Sequence, residues 1–207
     1  MIKRSDNVNT LKAVHTDISR EDNIIRVVKS EKINEYDENT YARVCDLHFH
    51  DGVIEVDMLS RLLPDAPDFA RGFIGIAFRI NEDDTQFESF YIRPTNSVNM
   101  TDDHVRIAHG CQYFSYPKYT FAYFRENNIT KYEAPIHSEL DQWVHLKAVI
   151  KGAHASFYLN NEDTPTLEVN DMFHGKEATG DIGFFVDIGT EGFFKNLCVN
   201  NKRIDLS

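Results

Sequence analysis

Two carboxylates, Glu55 and Asp57, stand two positions apart in the apolar run DGVIEVDMLSRL, residues 51–62. On a strand successive side chains alternate between faces, so Val53, Glu55, Asp57 and Leu59 share one face and Ile54, Val56 and Met58 the other. Such a pair has three uses: acid–base catalysis, ligand binding, or charge neutralisation by neighbouring arginines.

A second constellation is made of arginines and rings. In GFIGIAFRI, residues 72–80, Ile74, Ile76, Phe78 and Ile80 form a core face. Phe73, Gly75, Ala77 and Arg79 form the other, a low face ending in a cation, over which a ligand or long neighbouring side chains can lie. In QFESFYIRP, Phe90 and Ile92 point one way and Ser89, Tyr91 and Arg93 the other, before Pro94 ends the ladder. In WVHLKAVIKG, Val144, Leu146, Ala148 and Ile150 are the core face, with Trp143, His145 and Lys147 opposite.

If the strands carrying Glu55, Arg79, Tyr91, Arg93 and Lys147 lie side by side, their outer faces make one surface of carboxylates, guanidinia and rings. Sugars suit such a surface, because their hydroxyls pair with charged and amide groups and their C–H faces stack on rings. The plainer alternative is an ordinary charged sheet face, where each cross-strand pair contributes roughly 0.2–1 kcal/mol. The pattern alone favours that alternative.

The elements that must position these residues are strands. From about residue 41 onward, short β-branched and aromatic segments alternate with Gly, Asn, Asp and Pro clusters. The expected strands are NIIRVVKS, YARVCDLHFH, GVIEVDML, GFIGIAFRI, QFESFYIRP, HVRIAHGCQYF, WVHLKAVIKG, HASFYLN, DIGFFVDIG and GFFKNLCV. Helix-like windows are weak and confined to the N-terminus and APDFA. Strands of this length joined by short polar turns predict an all-β, two-sheet antiparallel jelly-roll sandwich. A polar segment over residues 1–20 is expected to precede a single domain over 21–207.

Composition narrows the function. The 207 residues carry 22 Lys plus Arg against 33 Asp plus Glu, a formal charge of -11, which opposes binding to nucleic-acid phosphates or an anionic membrane. No run is long enough to span a bilayer, and the opening MIKRSDNVNTLKAVHTD lacks the apolar core of a signal peptide, so a cytoplasmic location is expected. A chain trimmed of its leader reads the same. The scattered Cys45, Cys111 and Cys198 suit buried thiols rather than a disulfide framework.

Other chemistries find little support. His48 and His50 in HFH have a spacing that begins a metal site, but no third ligand is in sight, and no metal or cofactor is expected. The acidic turns NEDD and NNEDT offer oxygen ligands for a structural Ca²⁺, yet neither has a fixed ligand spacing, and solvated hairpin tips are the simpler reading. There is no G-x-S-x-G elbow and no phosphate-cradling glycine loop.

FRINEDDTQFESFYIRPTNS, followed in order by QYFSYPKYTFAYFRE, KYEAPI, WVHLKAVIKG and DIGFFVDIGTEGFFKNL, resembles bacterial domains of the concanavalin A-like lectin/glucanase type, and the related laminin-G-type and 3-keto-disaccharide hydrolase-like domains. The resemblance covers roughly residues 48 to 199. It implies a jelly roll of two curved sheets with carbohydrate on the concave one. The positions matching its FYIRPTN segment are Glu88, Tyr91, Arg93 and Asn96, with Arg106, Tyr113 and Glu133 in following segments. With Arg79 and Lys147 these are the expected ligand-binding residues. Arg93 would grip a carboxylate or sugar hydroxyls, or instead pair with Glu55, Asp57 or Glu88.

EVDMLS is similar to half of the catalytic strand of laminarinase-like glycoside hydrolases, with Glu55 as nucleophile and Asp57 orienting it. The third carboxylate should fall at 59 or 60, which are Leu59 and Ser60. A retaining glycosidase needs that acid about 5 Å from the nucleophile. The expectation is therefore a saccharide-binding domain, with two alternatives: a hydrolase or lyase using Glu55, Asp57, Glu88 or Glu133, and a protein-interaction module.

Overall fold

A computed structural model describes residues 9–32 and 34–206. The strands are β1 (Leu11–Val14), β2 (Thr16–Glu21), β3 (Ile24–Lys29), β4 (Tyr41–Phe49), β5 (Gly52–Leu62), β6 (Ile74–Ile80), β7 (Phe87–Ile92), β8 (Cys111–Tyr116), β9 (Glu133–Ala134), β10 (Trp143–Lys151), β11 (His154–Leu159), β12 (Leu167–Val169), β13 (Gly180–Val186), β14 (Thr190–Val199) and β15 (Lys202–Arg203). Two short helices, α1 (His104–Ala108) and α2 (Phe121–Glu126), flank β8. One sheet has the order β1-β4-β13-β6-β7-β8-β9, and the other β12-β11-β10-β5-β14-β3-β2 with β15 beside β14. The expected all-β antiparallel sandwich is what the chain forms.

Period-two alternation builds the core as read. Ile74, Ile76, Phe78, Phe90 and Ile92 of one sheet meet Ile54, Val56, Met58, Leu146 and Phe157 of the other, all buried. Phe90 stacks on Phe157 with centroids 4.3 Å apart, and Phe184 on Phe194 at 4.7 Å, so ring pairs join the two layers. Full burial of each such side chain stabilises the fold by about 1.5–3 kcal/mol.

Four expectations are corrected. The strands thought to lie side by side are divided: β5 and β10 pair in the eight-stranded sheet, while β6 and β7 lie in the other. Local alternation says which residues share a face but not which sheet a strand joins. The stretch HVRIAHG is not strand, because Asp103 accepts hydrogen bonds from Val105 N and Arg106 N and caps α1. The polar N-terminal stretch enters the sandwich from Leu11 onward, with β1 on an edge of one sheet and β2 on an edge of the other. APDFA forms turns, and the helices lie instead at α1 and α2.

The low face of Gly75 and Ala77 is filled from within. Tyr41, Phe87, Phe114, Tyr91 and Phe185 pave the outer face of the seven-stranded sheet, in ring contacts of 5.2 to 5.8 Å. All are buried. A Cβ on Gly75 would come within 2.5 Å of the Tyr91 Cα, so only glycine fits under this layer. The segment before β4 is tied down across the same face: Glu38 accepts from Tyr116 Oη at 2.9 Å, and Asn39 donates to the Asp84 carbonyl.

Candidate functional site

At one end of that paved face a cleft of about 530 Å³ stays open. Its size falls in the range of small-molecule sites, roughly 300–1,000 Å³. Tyr91 and Arg93 reach it from the end of β7, Phe73 from just before β6, and Asp187 from just after β13. Tyr36, Asp37 and Phe69 come from connecting segments, Arg106 from α1, and Phe121 and Arg125 from α2. Gly72, at φ +73°, turns the chain between Arg71 and Phe73, and Ser60 Oγ fixes it by donating to its carbonyl at 2.7 Å.

Arg93 organises the floor. Its Nη1 donates to the His109 carbonyl at 3.0 Å and to Glu133 Oε1 at 3.1 Å, while Nη2 donates to Tyr91 Oη at 2.8 Å and to Gln112 Oε1. Burial alone would lower the Arg93 pKa, but Tyr91, Glu133 and Asp37 hold the guanidinium charged, above its ordinary range. Glu133 Oε1 also accepts from Arg125 Nη2 at 2.9 Å. His109 Nδ1 lies 3.0 Å from Glu133 Oε2 but is misaligned for a hydrogen bond. Burial, with Arg125 and Arg93 nearby and against the pull of Glu133, holds the His109 pKa below its ordinary value.

Asp37 closes the floor from the opposite side. Its Oδ2 accepts from Phe121 N at 2.5 Å, capping α2, and its backbone N–H donates to Asp187 Oδ2 at 2.8 Å. Asp187 is in turn paired with Lys29 at 2.6 Å. Burial first, and then the charge of Asp187, push the Asp37 carboxyl up to about 6, against the pull of Phe121 N, Arg93 and the Tyr91 hydroxyl.

Above this floor the wall is apolar and open. Tyr36, Phe69 and Val105 are three of the five exposed large hydrophobic side chains among the described residues, and all three line this one cleft. Tyr36 meets Phe69 edge-on at 6.3 Å and Phe121 at 6.2 Å. Asn96 donates to the His109 carbonyl and accepts from Arg106 Nε at 3.1 Å.

Of the residues singled out in the sequence, Tyr91, Arg93, Asn96 and Arg106 line the cleft, and Glu133 lies buried beneath it. Glu88 and Tyr113 face the inter-sheet core, where Tyr113 Oη donates to Glu88 Oε2 at 2.6 Å and the His174 N–H to Oε1 at 2.9 Å. Arg79 leaves its expected face. The ladder shifts register beside it, its φ is +53°, and its side chain becomes a staple between turns. It donates to the carbonyls of His50, Gly152 and Gly175 and to Asp51.

Glu55, Asp57 and Lys147 lie on the outer face of the eight-stranded sheet, apart from the cleft. His145 Nδ1 is 2.7 Å from Asp57 Oδ1, and Asn196 donates to Asp57 Oδ2 at 2.7 Å. Burial raises the Asp57 pKa, but those two hydrogen bonds, together with the charges of His145 and Lys195, leave the carboxyl below its ordinary value. Glu55 and Lys147 border a second hollow with Tyr158, Glu162 and Asp163. Arg93 therefore pairs with none of Glu55, Asp57 or Glu88; its carboxylate is Glu133. Among the described residues no group of three or more His, Cys, Asp or Glu is placed to hold a metal ion.

Several cleft residues were not singled out in the sequence. Arg71 carried a usable signal, since it continues the odd-numbered, low face on which Phe73 was placed. Asp37, Tyr36, Phe69 and Asp187 did not, because they come from connecting segments whose local sequence has no periodicity.

The chain matches solved structures of the same sandwich fold. A carbohydrate-binding module, CBM66, from Bacillus subtilis aligns over 92% of this chain and 95% of its own at 14% identity, with a TM-score of 0.56. A protein of unknown function with a galectin-like fold, also from Bacillus subtilis, aligns over 98% and 93% at 14% identity and 0.56. A putative glycosyl hydrolase from Parabacteroides distasonis aligns over 87% of both chains at 13% identity and 0.52. No protein-family model and no curated protein matches. At these identities the likeness is one of fold.

The cleft thus offers stacking faces beside hydrogen-bonding and charged groups. Its floor is held together by the hydrogen bonds of Arg93 and Asp37, while His109 Nδ1, Gln112 Nε2 and Glu133 Oε2 have no hydrogen-bond partner among the described residues.

Proposed function

We propose that this is a carbohydrate-recognising domain whose binding site is the cleft between Tyr91–Arg93, α1 and α2. The observation that carries the reading is the gathering of exposed Tyr36, Phe69 and Val105 around one cleft with guanidinia at its base. Sugar C–H faces stack on such rings while hydroxyls take hydrogen bonds from the arginines and Asn96. An exposed apolar rim around a polar pocket is the ordinary mark of a binding site. The carbohydrate-binding module that shares this fold agrees with the reading, although fold alone does not fix function.

The test is a glycan array followed by calorimetry on the sugars it identifies. Phe69→Ala and Tyr36→Ala, both on the exposed rim, should each weaken binding roughly tenfold while leaving thermal stability unchanged. A sugar bound equally well by both variants would place the site elsewhere.

A second reading, glycoside hydrolase or lyase, is favoured by one observation. Asp37 is the one carboxyl clearly raised among the described residues, and it borders the cleft. A general acid needs a pKa near working pH. On that reading Asp37→Asn abolishes turnover of the bound sugar, and an unaltered rate in that variant rules out Asp37 as the acid.

A further inference from the structure

The four arginines of the cleft are not equivalent. Arg93 and Arg125 share the Glu133 carboxylate, and Asp37 adds its charge beside Arg93. Arg71 and Arg106 have no carboxylate partner among the described residues. Arg71 donates through Nη1 to the carbonyls of Asp68 and Ala70, and its Nη2 has no hydrogen-bond partner among the described residues. Arg106 donates to Asn96 Oδ1, the Thr95 carbonyl and Thr95 Oγ1, all neutral acceptors. Burial, and then the charges of Arg106 and Arg93, lower the Arg71 pKa, so Arg71 feels its cationic neighbours without an offsetting acid.

This concentration of charge runs against the rest of the molecule. The chain carries -11 overall, and two uncompensated guanidinia in one half-apolar cleft cost stability through mutual repulsion. The cost is explained if the missing counter-charge arrives with the ligand. Neutral carbonyl acceptors orient the two side chains and leave their positive charge in place. Guanidinium groups match the planar, two-oxygen geometry of a carboxylate and also the oxygens of a sulfate ester. The apolar wall of Phe69 and Tyr36 beside them calls for a ring, so a small inorganic anion would leave half of the site unused.

We propose that the cleft selects acidic saccharides, Arg71 and Arg106 together holding a carboxylate or sulfate substituent while the sugar ring lies against Phe69 and Tyr36. The proposal rests on the sugar-binding reading of the same cleft and names the class of sugar.

Calorimetry with three probes separates the two claims: trigalacturonate, its carboxyl-reduced neutral counterpart, and a sulfated galactose disaccharide without a carboxylate. At least one anionic probe should bind, and the neutral counterpart should bind at least about tenfold more weakly. Arg71→Gln, which among the described residues removes only side-chain hydrogen bonds to two nearby carbonyls, should weaken the anionic probe about 10- to 100-fold without lowering the melting temperature. Arg106→Gln should act in the same direction. Trigalacturonate alone binding identifies a uronic acid, and the sulfated probe alone a sulfate ester. Equal binding of the neutral and anionic probes overturns the acidic preference and leaves the sugar site standing. An anionic probe that binds Arg71→Gln and Arg106→Gln as tightly as the wild type overturns the assignment of these two residues. No binding by any probe overturns the acidic preference, and the sugar reading falls with it if the glycan array is also blank.

Discussion

Arg93 grips the residue two places before it: its Nη2 donates to the Tyr91 hydroxyl at 2.8 Å while its guanidinium carbon sits 4.9 Å from the centroid of the same ring. Both side chains leave the outer face of β7, and together they form the base of the cleft. Arg93 is therefore a support for the site, with its Nη1 and Nη2 donors taken by protein acceptors.

Replacing Arg93 should be costly whether or not ligand is present. Arg93→Met would leave Glu133 with the partly exposed Arg125 as its remaining guanidinium and Gln112 Oε1 with only the long bond from the Tyr91 hydroxyl, and breaking a buried pair from one side costs about 3–5 kcal/mol. Urea unfolding monitored by fluorescence should show a lower midpoint with an unchanged slope.

Asp37 makes stability depend on pH in an unusual direction for a carboxylate. Folding raises its pKa from 3.8 to about 6, so the folded protein holds this proton more tightly than the unfolded chain does. Its contribution is most favourable below the unfolded value and declines as pH rises through the folded value of about 6, where the buried charge forms. Asp37→Asn should therefore gain on the wild type between ~pH 5 and ~pH 7, by about 1–3 kcal/mol. Denaturation curves of both proteins across that range provide the check, and parallel pH profiles would refute it.

Arg79 should behave as a structural residue. Its guanidinium is fully covered and joins three backbone carbonyls from separate turns to Asp51. Arg79→Met should destabilise the fold by about 3 kcal/mol or more, with saccharide affinity unchanged below the unfolding temperature. Parallel thermal melts and calorimetry distinguish this from a ligand-contacting role.

Glu55→Gln and Asp57→Asn should leave binding in the cleft untouched, because both residues lie on the other sheet. Asp57, held below its ordinary pKa, stabilises the protein above about pH 4, and this is lost as pH falls through the lower folded value. Its side chain is a quarter exposed, so the loss should stay within about 1 kcal/mol. Calorimetry on the double variant and acid titration of the single one test the two statements.

Much of the fold was legible because a strand writes its burial into a two-residue period. Ile74 to Ile80 and Val144 to Ile150 face the core as their alternation requires. The same rule failed at Arg79, where one extra residue in the ladder turns the side chain away from its expected face. It was silent for Asp37, Tyr36 and Phe69, which reach the cleft from segments without periodicity.

The sequence by itself determined most of the strands, their buried faces and the shared outward face of Tyr91 and Arg93, because these follow from local backbone geometry. Only the tertiary structure decided that Glu55 and Asp57 stand on one sheet and Arg93 on the other. It also brought Arg71, Arg106 and Phe69 around a single opening. Sheet membership and loop placement are set by long-range packing between layers, and alternation along one strand carries no record of which strand will lie beside it.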